Sequence, residues 1–192
     1  MLFVYEHFLS RMITVRLRIL ALAVLCAITT PAFSLPISIS YSQALRTEDP
    51  PALKGYKISL FYQPRFLVWQ TNRIYIDGSF SHWWLNNVPH DSCLSIFAIA
   101  PVFRHYLLQG KWISPFINLS IGLSWLTRTR LYEHDLGIHF AFQDQIGLGF
   151  SFGPQKHFSI TASMLHYSNA SMASSNGGIT APFMLSAEYR FD

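Results

Sequence analysis

The fold is decided by residues 138–152, which read IHFAFQDQIGLGFSF. The even positions are apolar apart from Asp144, and the odd positions are all small or polar. Successive side chains of a β-strand point to opposite faces of the sheet. This period of two therefore predicts a strand with one apolar face and one polar or small face.

The same alternation recurs along the rest of the chain, and turn-like segments separate most of its occurrences. Residues 117–125 alternate Ile, Leu and Trp with Asn, Ser and Gly, and residues 183–191 alternate in the same way. Eight strands are predicted in total, at roughly 37–45, 55–66, 72–82, 94–106, 113–126, 138–153, 156–168 and 181–191.

The composition indicates that much of the surface faces something other than water. Hydrophobic residues make up 51% of the chain and charged residues only 12%, against about a quarter charged in ordinary soluble domains. After the N-terminal segment, no apolar run reaches the roughly 18 residues that a membrane-spanning helix needs. The other structure that satisfies all backbone hydrogen bonds in lipid is a closed barrel. We therefore predict an all-β fold, an eight-stranded antiparallel transmembrane β-barrel.

The alternative is a soluble β-sandwich or a lipocalin-like barrel, which is also built from alternating strands. That fold would have to explain the long runs of Phe, Ile and Leu on one face. Tryptophans near the predicted strand ends favour a membrane barrel, because aromatic girdles mark its two lipid–water boundaries. These are Trp69, Trp83, Trp84, Trp112 and Trp125.

Residues 1–34 have the order of a secretory signal peptide, which leaves residues 35–192 as the barrel. Arg16 and Arg18 precede an apolar run over 19–28, and Ala32-Phe33-Ser34 forms a small-residue cleavage pattern. Cleavage would leave Cys93 as the only cysteine, so no disulfide is expected within the mature chain. It would also remove three arginines and one glutamate, taking the net charge from +4 to +2. This small excess gives no reason to expect nucleic-acid binding.

The predicted strand 156–168 carries an anomaly at its end. Its even positions are apolar until His166 and Ser168, so the lipid-facing register runs into a titratable side chain and a hydroxyl. An ionisable residue on a lipid face is costly and suggests function. A neighbouring Ser and His can act as nucleophile and base, and Asn169 with the amides that follow it could form an oxyanion hole. The alternative is that both residues lie at a wet strand end, above the lipid.

These residues resemble a known family. His166-Tyr167-Ser168-Asn169-Ala170, followed by Asn176-Gly177-Gly178-Ile179, is similar to the signature of the lipid A 3-O-deacylase (PagL) family. Phe140–Gly149 and Ile121–Ser124 resemble its two preceding strands. The resemblance implies a barrel in the outer membrane of a Gram-negative bacterium that removes an ester-linked acyl chain from lipid A of lipopolysaccharide. It assigns His166 as general base and Ser168 as nucleophile, on a wall that contacts outer-membrane lipid.

The chain departs from that signature at two positions. Thr180 stands where the family has the glutamate of its triad, and Ser171 stands where it usually has glycine. A hairpin in which paired residue numbers add to 310 would place Asp144 opposite His166, so Asp144 is a possible substitute acid. Glu188 is a weaker candidate, because it faces inward near the far strand end. The alternative function is a catalytically impaired structural or lipid-binding barrel.

Other polar residues predict less. Arg128 and Arg130 lie in the loop before residue 138, where they would bind lipid A phosphates or simply be solvated. The histidines have no metal-ligand spacing, so we predict neither a metal nor a cofactor. The sequence leaves open whether the barrel forms a homodimer.

Overall fold

The computed structural model describes residues 37–48, 50, 52–86, 88 and 90–191. The predicted signal peptide lies outside these residues. Eight long strands form the barrel, and they confirm the predicted all-β class and number. Their bounds are β1 Ile37–Arg46, β2 Lys54–Tyr62, β3 Asn72–Trp84, β4 Cys93–Tyr106, β5 Ile113–Leu126, β6 Phe140–Phe152, β7 Phe158–Ser168 and β8 Ile179–Phe191.

Seven of the strands lie within two residues of their predicted bounds, and β2 ends earlier. Its prediction ran to residue 66, but the strand stops at Tyr62 and a short 3₁₀ turn, Arg65–Leu67, follows Pro64. Proline has no N–H to give to a neighbouring strand, and it interrupts the ladder there.

The sheet closes on itself. Each strand pairs antiparallel with the next in sequence, and β1 lies beside β8, so no long strand is left as an edge. In the connection between β5 and β6, Arg130–Leu131 pairs with His134–Asp135 to form a small hairpin. Within the described ranges, no helix is long and apolar enough to cross a membrane.

The two faces of the wall differ as the alternation predicts. Outward side chains are large and apolar, and the most exposed of them on β5 is Ile121, at 68%. Inward side chains fall into two groups. Toward the end where β7 finishes, an apolar cluster contains Leu126, Leu165 and Ile179, together with Leu131 and Leu136 from the β5–β6 connection. The other half of the interior is polar.

Two buried ion pairs hold the polar half. Lys57 Nζ lies 2.8 Å from Asp77 Oδ2, and Arg104 lies 2.7 Å from Glu188 Oε2. Ser38 also donates a hydrogen bond to Glu188. Glu188 therefore forms its ion pair and hydrogen bond inside the barrel. It is too far inside to act as the acid of a site on the outer wall.

The prediction that Trp83 belongs to an aromatic girdle is wrong. Its side chain is fully buried inside the barrel, where it packs over Gly55. A Cβ at Gly55 would lie 2.2 Å from the indole ring, so this position requires glycine. Trp69, Trp112 and Trp125 are exposed, as a girdle requires. Trp83 and Trp84 are adjacent in β3, so they must point to opposite faces.

Candidate active site

The outward register of β7 carries the predicted pair. Phe158, Ile160 and Met164 are exposed on the outer wall, whereas Leu165 and Tyr167 are buried inside. His166 and Ser168 belong to the outward set and are half-buried. The expectation that both lie on the outer face at the end of this strand is therefore met.

Tyr167 anchors the strand between these two residues. Its ring is 1% exposed and meets Trp83 edge-on at 6.2 Å between centroids. Its hydroxyl donates to Gln143 Oε1 at 3.0 Å and lies 3.2 Å from Ser81 Oγ. A buried aromatic with a satisfied hydroxyl holds its backbone in place. This contact fixes the orientation of His166 and Ser168 from inside the barrel.

A bulge in β8 brings Thr180 to the same outer face. The β7–β8 register shifts between Ser163 and Leu165, opposite Pro182 and Phe183. On one side of the bulge the even residues Met184 and Ser186 face inward, but on the other side Ile179 and Ala181 do so. A one-residue offset reverses the facing of every later side chain. Without it, Thr180 would point into the barrel.

Thr180 makes direct contact with His166. The two residues are cross-strand partners, and His166 Nδ1 lies 2.8 Å from Thr180 Oγ1. When Nδ1 carries the proton, it donates to the threonine hydroxyl, and Nε2 keeps a lone pair. Thr180 thus contacts Nδ1, the nitrogen that the acid of a Ser–His–acid triad binds.

Ser168 and His166 are close along the strand but not hydrogen-bonded to each other in the described structure. Side chains two residues apart in a strand are about 6.5–7 Å apart along the chain. The imidazole must therefore lean toward Ser168 before Nε2 can accept the hydroxyl proton. Gly178 leaves room beside the ring, because a Cβ there would lie 3.0 Å from His166 Cε1 and 2.8 Å from Tyr167 O.

Asp144 lies opposite His166, in the register that the residue sum of 310 predicted. On its other side it pairs with Ile121 of β5. Its carboxylate is half-buried and forms no hydrogen bond or ion pair with another described residue. The acid predicted from the hairpin is thus a neighbour of the histidine, without a direct bond to it.

Asn169 has its N–H donors engaged within the protein. Its backbone N–H donates to Asn176 Oδ1 at 2.9 Å, and its amide Nδ2 donates to Leu136 O and Ser175 O. The side chain is completely buried. Asn169 therefore clamps the β7–β8 connection to the β5–β6 connection, and an oxyanion-hole role would require one of these bonds to break.

The β5–β6 connection presents its cations already paired. Arg130 lies 3.1 Å from Asp135, and Arg128 lies 3.8 Å from Asp91. The Gly137 N–H and Arg130 lower the pKa of Asp135. Both arginines would have to leave these carboxylates before they could bind a lipid A phosphate. Within the described ranges, no three His, Cys, Asp or Glu side chains are arranged to hold a metal ion.

Sequence reasoning missed a serine–histidine hydrogen bond elsewhere on the outer wall. His82 Nδ1 lies 2.8 Å from Ser95 Oγ across β3 and β4. The His82 ring stacks on Trp84 at 5.8 Å, in an aromatic group typical of a membrane boundary. A hydrogen bond between a serine and a histidine is therefore not enough to identify the active site. The residues around His166 are needed to distinguish it from His82.

Together, the closed barrel and its apolar outer wall define a class of protein, a membrane β-barrel, and this one carries a Ser and a His side chain at the end of β7 on its outer face. A family model described as lipid A 3-O-deacylase (PagL) matches residues 54–190. The chain belongs to this family. It is accordingly an outer-membrane hydrolase of the lipid A deacylase class.

A relative and a solved structure of this family agree with this membership. The lipid A deacylase PagL of Pseudomonas aeruginosa is 29% identical over 166 residues, which cover 84% of this chain and 92% of the relative. The crystal structure of the outer membrane enzyme PagL superimposes with a TM-score of 0.66 at 27% identity, covering 79% of this chain and 98% of that one. Neisserial surface protein A is more distant, with a TM-score of 0.49 at 10% identity over 82% of this chain and 96% of its own.

Proposed function

We propose that the protein hydrolyses the ester that links an acyl chain to the 3-O position of lipid A, with Ser168 as nucleophile and His166 as general base. One observation carries this proposal: His166 lies on the lipid-facing wall with Nδ1 bound by Thr180, two residues from Ser168. This arrangement leaves Nε2 for the serine hydroxyl.

The reaction would proceed in two halves. Ser168 Oγ attacks the ester carbonyl carbon while its proton passes to His166 Nε2. The tetrahedral intermediate then collapses, the bond between the carbonyl carbon and the sugar oxygen breaks, and His166 returns the proton to that oxygen. Water hydrolyses the acyl-serine in the same way and releases the fatty acid.

The position of the site suits a substrate that is part of the membrane. Met164, Ile146 and Phe183 are exposed on the same wall and neighbour the site along β6, β7 and β8. The acyl chains of lipid A can lie against this apolar surface without leaving the outer leaflet. An ester of the outer leaflet would meet Ser168 at the strand end, so no deep pocket is needed.

The test compares two serines on one wall. Ser168→Ala should abolish acyl release, measured by mass spectrometry of lipid A from cells that carry each variant. Ser95→Ala is the matched control, because it removes the serine that is hydrogen-bonded to a histidine, and it should leave acyl release unchanged. Acyl release that survives Ser168→Ala would disprove the nucleophile assignment.

A second function has a specific observation in its favour. No described carboxylate contacts His166, as expected of a barrel that binds lipid A without cleaving it. The same experiment separates the two functions, since a binding barrel gives identical lipid A with wild type, Ser168→Ala and no protein at all.

A further inference from the structure

His166 lies between two different polar neighbours on the outer wall. Across β8 it meets Thr180, which is bonded to Nδ1 at 2.8 Å. Across β6 it meets Asp144, its cross-strand partner. The site therefore contains a hydroxyl that is hydrogen-bonded to the imidazole and a carboxylate that lies opposite it with no hydrogen bond or ion pair to it.

A triad carboxylate does two things for its histidine. It accepts the Nδ1 proton, which fixes the tautomer and the ring orientation, and its negative charge stabilises the imidazolium that forms when the nucleophile is deprotonated. A threonine hydroxyl can do the first but carries no charge for the second. A carboxylate one strand away can do the second, because charges interact without direct bonding.

The surroundings of Asp144 leave its charge available for this purpose. Neither of its cross-strand partners, Ile121 and His166, is a lysine or an arginine, and its carboxylate has no ion pair among the described residues. Directly opposite residues of neighbouring strands have Cβ atoms about 4.5–5.5 Å apart. In an apolar wall beside lipid, a charge at this range is screened less than in water.

We propose that two positioning residues on the strands flanking His166 divide the work of one triad carboxylate: Thr180 orients the imidazole, and Asp144 supplies the negative charge. This proposal rests on the proposed function. It explains how a chain with threonine at the acid position can retain a working serine and histidine.

The test uses an interaction between two substitutions. Asp144→Asn should lower kcat by about tenfold or more in the wild-type background while KM changes little, because the charge acts on the transition state. Thr180→Glu unites both roles in one carboxylate that contacts Nδ1. In a Thr180→Glu background, Asp144→Asn should therefore have almost no effect. Such non-additivity is expected of residues that share one task.

Two further variants separate orientation from packing. Thr180→Val removes the acceptor at nearly constant volume and should reduce kcat by about 10²-fold or more, and Thr180→Ser should restore most of the activity. Glu133→Gln removes one negative charge from the exposed β5–β6 connection and serves as the control for Asp144→Asn. It should leave kcat unchanged.

Each variant is assayed on lipopolysaccharide in detergent micelles, and labelling of Ser168 by a fluorophosphonate is measured in parallel. The proposed division of roles between Thr180 and Asp144 is overturned if Asp144→Asn has no effect. It is also overturned if Asp144→Asn lowers kcat equally in the wild-type and Thr180→Glu backgrounds, as a purely structural role would. Failure of the proposed function looks different, because Ser168→Ala would then match wild type in both acyl release and labelling.

Discussion

Gly178 lies against the imidazole ring of His166, where there is no space for a side chain. A Cβ at this position would lie 3.0 Å from His166 Cε1 and 2.8 Å from Tyr167 O. The backbone oxygen cannot move without disturbing β7, so the imidazole ring would have to shift away. His166 is the proposed general base, and displacement of such a group by about 1 Å can cost about 10²-fold in rate.

Gly178→Ala should therefore lower kcat, by up to about 10²-fold, while the barrel still assembles, as judged by its mobility on unheated gels. The matched control is Gly78→Ala, because an added Cβ there meets only Leu60 O, at 3.9 Å. Unchanged activity in Gly178→Ala would mean that the histidine does not need the position that the structure gives it.

The bulge in β8 is the element that assembles the site. It lets Met184 and Ser186 face inward on one side while Thr180 faces outward on the other. Pro182 lies within it and has no N–H to give to the ladder, which suits an interrupted pairing.

Deletion of Pro182 should remove the offset and turn Thr180 toward the interior, so that acyl release is lost. Pro182→Ala keeps the residue count and hence the bulge, so it should stay within a few-fold of wild type. Both variants are compared by lipid A mass spectrometry and by the unheated gel shift. A deletion variant with full activity would show that Thr180 need not face His166.

In the polar half of the interior, the stability of the whole barrel depends on each buried charge keeping its partner. Lys57 and Asp77 are 3% and 1% exposed and form an ion pair at 2.8 Å, with Gln145 as a further partner of the lysine. Removing one partner leaves a buried charge uncompensated, which costs about 3–5 kcal/mol, whereas replacing both by apolar residues is often nearly neutral.

Lys57→Met should therefore lower the free energy of unfolding by about 3–5 kcal/mol, and Lys57→Met with Asp77→Leu should recover most of it. Urea titration of the micelle-bound barrel measures both. Arg46→Met is the control, because its pair with Glu48 is 70% and 56% exposed, and it should change stability by less than about 1 kcal/mol. An equal loss of unfolding free energy in the single and the double variant would show that the uncompensated charge of Asp77 is not what destabilises the single variant.

Local pattern was sufficient to predict the barrel from the sequence. Residues 138–152 alternate because each outward side chain meets lipid and each inward one meets the interior, so the period of two is imposed at every position. The same parity places His166 and Ser168 on the outer wall. It also limits the β6–β7 hairpin to registers with even residue sums, which include the one that brings Asp144 opposite His166.

Only the tertiary structure decided how His166 is held. If the alternation of residues 183–191 continued back along β8, the side chain of Thr180 would point into the barrel. The bulge in the pairing of β7 with β8 adds an offset of one residue, and this turns Thr180 outward. The burial of Trp83 and the hydrogen bonds of Asn169 lay beyond local pattern for a similar reason. Trp83 fits over Gly55, and Asn169 bonds the carbonyl of Leu136, which is far away in the chain. Alternation reports which face a side chain takes, but bulges and partners depend on strands and loops that meet only when the barrel closes.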